Sequence, residues 1–240
     1  MRIAGISPYR PGVTAGVRTT GLLLGAALAA WAVTIVRVRG MDSGPGTDFG
    51  GLGWYLGVWV TMTAAMMLPS VAPMVLLVAH VSRERSWRVA PFVFVAAYLA
   101  VWTLYGLAAY ACARGVRALG VGGSPAMTGA LVVVAGVYEL SPLKSVCLRH
   151  CRGPLHFVTG GWRDGAAGAV RMGAEHGAYC VGCCWGLMLL LFALGVMSIF
   201  WMAVVAAAIA AQKLLPFGER LVRPLALTLI AVGVTLVALG

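Results

Sequence analysis

Cysteine and histidine side chains are concentrated in one short stretch of the chain. Five of the six cysteines and three of the four histidines lie between residues 147 and 184. Sulfur ligands with an imidazole beside them suit Cu(I), Zn(II) or an iron–sulfur centre. A lone buried cysteine is usually a small apolar side chain, which is our interpretation of Cys112. The concentrated residues are instead candidate metal ligands or redox thiols: Cys147, His150, Cys151, His156, His176, Cys180, Cys183 and Cys184.

The spacing of these residues predicts two stripes of ligands on two helices. Cys147 and Cys151 are four residues apart, so they share one face of a helix. A second stripe has the spacing i, i+4, i+7 and i+8 and consists of His176, Cys180, Cys183 and Cys184. Facing each other, the two stripes would bring thiols and an imidazole around one ion. Because Cys180 and Cys183 also form a CxxC pair, a thiol–disulfide redox pair is an alternative. The remaining two histidines lie among arginines and are explained equally well as surface side chains.

The composition of the chain is that of an integral membrane protein. Of the 240 residues, 61% are hydrophobic and 10% are charged, and the mean hydropathy is +0.92. A soluble domain carries about 25% charged residues, and a disordered chain is polar and rich in charge. The net charge of +11 does not indicate a nucleic-acid partner, because the basic residues lie in short gaps between apolar runs. We therefore expect the lipid bilayer to surround the chain.

Runs of about 20 apolar residues, which are long enough to cross a bilayer, predict the transmembrane helices. We expect an all-α bundle of about seven such helices, in which the long run 176–215 is divided near residues 195–198. The predicted helices are 21–36, 51–79, 89–112, 125–140, the two halves of 176–215, and 221–239. The chain would form a single transmembrane domain over residues 1–240.

The basic residues predict the orientation of the bundle, since short cytoplasmic loops are enriched in Lys and Arg. With seven helices, fourteen of the 18 basic residues fall on one side, including Lys213 in the last loop on that side. This predicts a multi-pass protein of the plasma (inner) membrane with a cytoplasmic N-terminus and an extracytoplasmic C-terminus. The cysteine- and histidine-containing segment 141–184 would lie on the cytoplasmic side, where thiols are kept reduced.

The segment between helices four and five, residues 141–175, mixes arginines with apolar side chains. We expect an amphipathic segment at the membrane interface, divided into short helices by glycines such as those at 165–168. Just before it, Glu139 is an intramembrane carboxylate, which indicates a functional site by default. An ion pair with Lys144 or Arg149 is an equally good explanation. The methionines of helix two, such as Met66, could hold Cu(I), but packing is their commoner role.

Two sequence blocks resemble a known family. They are YELSPLKSVCLRHCRGPLHF at 138–157 and GAVRMGAEHGAYCVGCCWGLMLLLF at 168–192, and the likeness continues through GVMSIFWM at 195–202. In these blocks the chain is similar to the integral membrane proteins of domain-of-unknown-function family 2182, a family described as metal-binding.

The resemblance implies a metal site rather than a known reaction. The residues that match the family's motif, and that would bind the metal, are Cys147, Cys151, His176, Cys180, Cys183 and Cys184. One departure is visible, because the family tends to carry Glu where this chain has Gln212. A cation bound by that Glu in relatives would meet a neutral amide here.

Three kinds of function fit these observations. The first is a protein that binds copper or zinc for delivery, insertion or transport, with a metallochaperone or another membrane protein as its partner. The second is a membrane-embedded oxidoreductase that uses the thiols or a bound metal ion. The third is a non-catalytic partner subunit in which a structural metal ion holds the interfacial segment to the bundle.

Overall fold

The computed structural model describes residues 13–39, 50–84, 89–118, 120, 124–153, 162–195 and 198–239. Within these ranges the chain is all-helical and contains no strand. The helices in chain order are α1 Val13–Val38, α2 Leu52–Glu84, α3 Ala90–Ala118, α4 Pro125–Glu139, α5 Pro142–Arg152, α6 Gly165–Leu194, α7 Ile199–Leu214 and α8 Val222–Leu239, with a short 3-10 helix, Gly218–Leu221, before α8.

Five stretches of the described helices are long and apolar enough to cross a membrane. They are Val17–Val38, Leu52–Ser82, Ala90–Ala118, Gly165–Leu194 and Gly218–Leu239. A sixth crossing exists if α4 and α5, which meet at a bend of 65°, form one broken span. α7 has 16 residues, which at 1.5 Å per residue cover about 24 Å of a hydrocarbon core of about 30 Å. Helix length therefore supports five or six spans, and the number of seven stays a prediction.

The segment that the sequence predicts at the interface is divided between two helices. α5 follows Ser141, whose hydroxyl caps its first turn. α6 then begins at Gly165, well before His176, so the last part of the segment belongs to a long apolar helix. The prediction of short helices in this part is wrong, because Gly165–Leu194 is one uninterrupted helix in which Gly168 and Gly173 pack against neighbouring backbone groups. Residues 154–161, including His156, lie outside the described residues.

The break between α6 and α7 lies where the sequence predicts it. Gly195 follows the end of α6 and has a φ of 117°, a backbone conformation that side-chain-bearing residues rarely adopt. Ser198 then caps α7, because its hydroxyl accepts a hydrogen bond from the N–H of Trp201. The long apolar run is therefore divided into two helices, α6 and α7.

α6 contacts α3, α4, α5 and α7. Glycines allow α3 to approach it closely, as small residues do at many membrane helix interfaces. A Cβ on Gly173 would lie 3.0 Å from the Cβ of Ala97 and closer still to the carbonyl oxygen of Phe94. Gly177 faces α3 in the same way. This close approach brings Tyr98 of α3 against the side of α6 that carries the sulfurs.

α4 and α8 form the most extensive helix contact among the described residues. Their backbones meet at two glycines, since a Cβ on Gly129 would lie 2.7 Å from the carbonyl oxygen of Gly233. α4 is thereby held between α8 on one side and α6 on the other.

α2 is the most buried of the five membrane-length helices, with 72% of its most apolar stretch inside the protein. It packs against α1, α3 and α7. Met66 and Met67 lie in the hydrophobic core. This location agrees with the packing role that is common for methionine.

Candidate metal centre

Three cysteine sulfurs of α6 form a compact, buried group. The Sγ atoms of Cys180, Cys183 and Cys184 all lie within 4.8 Å of one another, and those of Cys183 and Cys184 are 3.3 Å apart. The spacing i, i+3, i+4 on one helix accounts for this group. All three side chains are buried. Sulfurs this close can share one soft metal ion. Small movements would bring each sulfur to a metal–sulfur distance of about 2.3 Å.

Cys151 on α5 approaches this group from a second helix. Its Sγ atom lies 3.5 Å from that of Cys183, and its side chain is only partly buried. The bend after α4 allows α5 to pack against α6. Near this contact the Tyr138 hydroxyl donates a hydrogen bond to the carbonyl oxygen of Gly182, which holds α4 to α6. Two helices therefore supply the four thiols that lie together.

Arg152 fixes the end of α5 beside the end of α7. Its guanidinium group donates hydrogen bonds to the carbonyl oxygens of Leu215, at 2.8 Å, and Pro216, at 3.1 Å, and also to that of Gln212. These are carbonyls at the C-terminus of α7, where an arginine is favoured by the free carbonyl groups and by the helix dipole. The side chain thus joins the helix that carries Cys151 to the helix that follows the sulfur group.

The other two predicted ligands, Cys147 and His176, are buried next to the group but are not part of it. A Cβ on Gly182 would lie 2.6 Å from the Sγ of Cys147, so this sulfur packs against the backbone of α6. The imidazole of His176 lies 6.0 Å, between ring centres, from Tyr98. Of the six predicted ligands, the structure brings Cys151 and the three sulfurs of α6 together, and the ligand role of each residue stays a prediction.

Lys213 is a member of the site that the sequence pattern did not indicate. The pattern of basic residues predicts it in a loop, but it lies in the last turn of α7 and is buried. Its Nζ atom is 2.9 Å from the Sγ of Cys180. The hydroxyl of Tyr98 lies 2.9 Å from the same sulfur. An ammonium group in this position stabilises negative charge on the sulfur, as charge-assisted hydrogen bonds do.

A second buried polar cluster lies at the end of α4 and explains Glu139. The Lys144 ammonium donates to Glu139 Oε1 at 2.5 Å and to the Gln212 side-chain oxygen at 2.8 Å. The Gln212 amide nitrogen donates to Glu139 Oε2 at 2.9 Å. The carboxylate is therefore engaged in the ion pair with Lys144 that the sequence offered as an alternative to a functional site. Gln212 and Lys213, which are adjacent in α7, reach two different clusters.

The remaining candidates lie apart from the sulfur group. Cys112 is exposed on α3. The ring of His150 stacks on Tyr179, with centroids 4.2 Å apart and planes 5° from parallel. Its Nδ1 atom lies 2.9 Å from the Val146 carbonyl oxygen, within the same helix. The placement of His150 agrees with the surface role that the sequence left open, whereas Cys112 is exposed and is not the buried side chain that the sequence predicts.

These features define an all-helical protein with membrane-length apolar helices and a buried thiol group that can hold a metal ion. The chain matches the family model PpoB2, described as copper chaperone, over residues 56–236. It belongs to that family. The match supports a copper-related family and does not bear on the name of domain-of-unknown-function family 2182. No curated protein and no solved structure matches the chain.

Proposed function

We propose that this chain is a membrane-embedded copper carrier that binds Cu(I) as its cargo through the thiols of α5 and α6. The observation that carries the proposal is the group of three buried sulfurs with Cys151 beside it. Thiolates are soft ligands that suit Cu(I) and Zn(II) rather than hard cations. Membership of a copper chaperone family supports copper as the ion.

The donor set favours Cu(I) over Zn(II). Structural zinc sites are four-coordinate and almost always tetrahedral, whereas Cu(I) is stable with two or three soft ligands. The close group among the described residues has three members. Zinc would need Cys151, whose sulfur lies 3.5 Å from that of Cys183, as a fourth ligand, while Cu(I) is stable with the three sulfurs of α6 alone.

Cys147 and His176 complete the proposed ligand set as its outer members. Both are buried within one helical turn of a thiol of the site. Rotation of either side chain would offer an additional ligand when copper enters or leaves. We therefore assign these two residues to the transfer of copper rather than to its resting coordination.

We place the carrier in the plasma (inner) membrane as a single domain over residues 1–240, with a cytoplasmic N-terminus and an extracytoplasmic C-terminus. The distribution of basic residues along the chain supports this orientation. The partner would be a metallochaperone or another membrane protein. Copper would pass between the two by exchange of thiol ligands, for which the partly exposed Cys151 is the accessible member.

A second candidate function is a membrane-embedded thiol oxidoreductase. The observation that favours it is the distance of 3.5 Å between the sulfurs of Cys151 and Cys183 on two different helices. In this function the pair would cycle between a dithiol and a disulfide, and no metal ion would be needed.

The test compares the metal content of Cys183→Ser and Cys112→Ser. Both proteins would be purified in detergent with Cu(I) under anaerobic conditions, and their copper content measured by elemental analysis. We expect Cys183→Ser to lose most of its copper, because this sulfur lies next to those of Cys151 and Cys184. Cys112→Ser should keep all of it, because Cys112 is exposed on α3. Full copper content in Cys183→Ser would refute binding through this sulfur, and a wild-type protein that binds no Cu(I) would refute the carrier and favour the oxidoreductase.

A further inference from the structure

We infer that Lys213 balances the negative charge of a metal complex with two thiolates and makes the site select a soft monovalent cation. This inference rests on the proposed function, because it concerns how the same thiols hold Cu(I). It assigns to a lysine of α7 a role in specificity that neither the sequence motif nor the family description gives it.

The surroundings of Lys213 are the first step of the argument. Its side chain is buried, and its Nζ atom lies 2.9 Å from the Sγ of Cys180. Among the described residues no carboxylate lies within 4.0 Å of this ammonium group. The other buried lysine, Lys144, has Glu139 as its counter-ion. A buried cation without a counter-ion is strongly unfavourable. We therefore assign the negative charge that balances Lys213 to the sulfur group.

The charge of the metal complex is the second step. One Cu(I) ion with two thiolates carries a net charge of −1, which the Lys213 ammonium neutralises. A third thiolate on Cu(I) would leave an uncompensated negative charge in a buried site, which is costly. A divalent soft ion such as Hg(II) forms a neutral complex with two thiolates, and the ammonium would then remain unbalanced. Lys213 therefore favours the monovalent ion over a divalent ion that is bound by the same two sulfurs.

The test compares two ions that accept the same two sulfur ligands but differ by one charge. Ag(I) replaces Cu(I) because it is monovalent, soft and stable to air, and Hg(II) is the divalent probe. The affinity of the full-length protein in detergent for each ion is measured by competition against one small thiol chelator. The variants are Lys213→Met, which has a similar length and no charge, and Lys213→Arg, which keeps the charge.

We expect Lys213→Met to weaken Ag(I) binding about 10- to 100-fold, the range for residues that support metal ligands, and to leave Hg(II) binding equal or stronger. Lys213→Arg, which keeps the charge, should keep the wild-type ratio of the affinities for Ag(I) and Hg(II). The double variant Glu139→Gln/Lys144→Met is the matched control, because it removes a buried ion pair whose charged groups bind each other and Gln212. It should keep the wild-type ratio.

The outcomes separate this inference from the proposed function. A wild-type protein that binds neither Cu(I) nor Ag(I) overturns the proposed function and this inference with it. A wild-type protein that binds Ag(I), with an unchanged ratio in Lys213→Met, overturns this inference alone. Equal weakening of both ions shows a structural role for the lysine and also overturns it. If Lys213→Met does not fold, Lys213→Gln is neutral as well and carries the same expectation.

Discussion

Removal of the Lys144 side chain should strongly destabilise the fold. The Lys144 and Glu139 side chains are 1% and 0% exposed, and their charged groups are 2.5 Å apart. In Lys144→Met the carboxylate would keep only the hydrogen bond from Gln212, which is 2.9 Å long. Breaking a buried ion pair from one side destabilises by about 3–5 kcal/mol. Because the Gln212 hydrogen bond offsets part of this loss, we expect about 3 kcal/mol, at the lower end of that range.

The assay is thermal unfolding in detergent, followed by the helical circular dichroism signal at one heating rate. For a chain of this size a loss of 1 kcal/mol lowers the midpoint by about 2–4 °C, so Lys144→Met should unfold about 6–12 °C below the wild type. The double variant Glu139→Gln/Lys144→Met leaves no buried charge and should recover most of this loss. The reasoning is refuted if the single variant unfolds within about 2 °C of the wild type, or if the double variant is the less stable of the two.

Two further predictions concern the contacts of α6. Gly173→Ala should destabilise by about 1–3 kcal/mol, because the added methyl group would overlap the carbonyl oxygen of Phe94. Gly25→Ala, which meets no atom within 4 Å, is the control for thermal unfolding, and equal midpoints for the two variants would contradict the close packing. Diamide, which oxidises two neighbouring thiols to a disulfide, should link Cys151 to Cys183, whose sulfurs are 3.5 Å apart. Mass spectrometry of the digested protein would detect this link, and prior loading with Ag(I) should prevent it. Equal linking with and without Ag(I) would place the ion elsewhere.

Local periodicity was sufficient to predict the sulfur group of α6. Which residues of one helix share a face depends only on their spacing, and Cys180, Cys183 and Cys184 were therefore aligned from the sequence. The break near Gly195 was predicted because the apolar run 176–215 is too long for one transmembrane helix, and the structure shows its local basis, a glycine with positive φ at the end of α6. Features that depend on one turn or one helix are determined by a few neighbouring residues, so they can be predicted from the sequence.

The rest of the site depends on contacts between distant parts of the chain. Cys147 and Cys151 share a helix face by spacing, yet only the sulfur of Cys151 lies close to that of Cys183. Which of the two reaches the group is determined by the 65° bend and by the packing of α5 on α6. Lys213 was assigned to a loop because basic residues are common there, but its partner Cys180 is 33 residues away. A charge inside an apolar helix can be explained only when that partner is known.

The pairing of α4 with α8 has a consequence for the order of events during synthesis. α4 ends at Glu139 and α8 begins at Val222, so the ribosome must add more than 80 residues between them. At about 5–20 residues per second this takes about 4–16 s. Until then Gly129 of α4 lacks the backbone of Gly233, against which it packs in the complete fold. The four thiols lie on α5 and α6, which are synthesised earlier and contact each other directly, so the thiol group is complete in the chain before the contact of α4 with α8 can form.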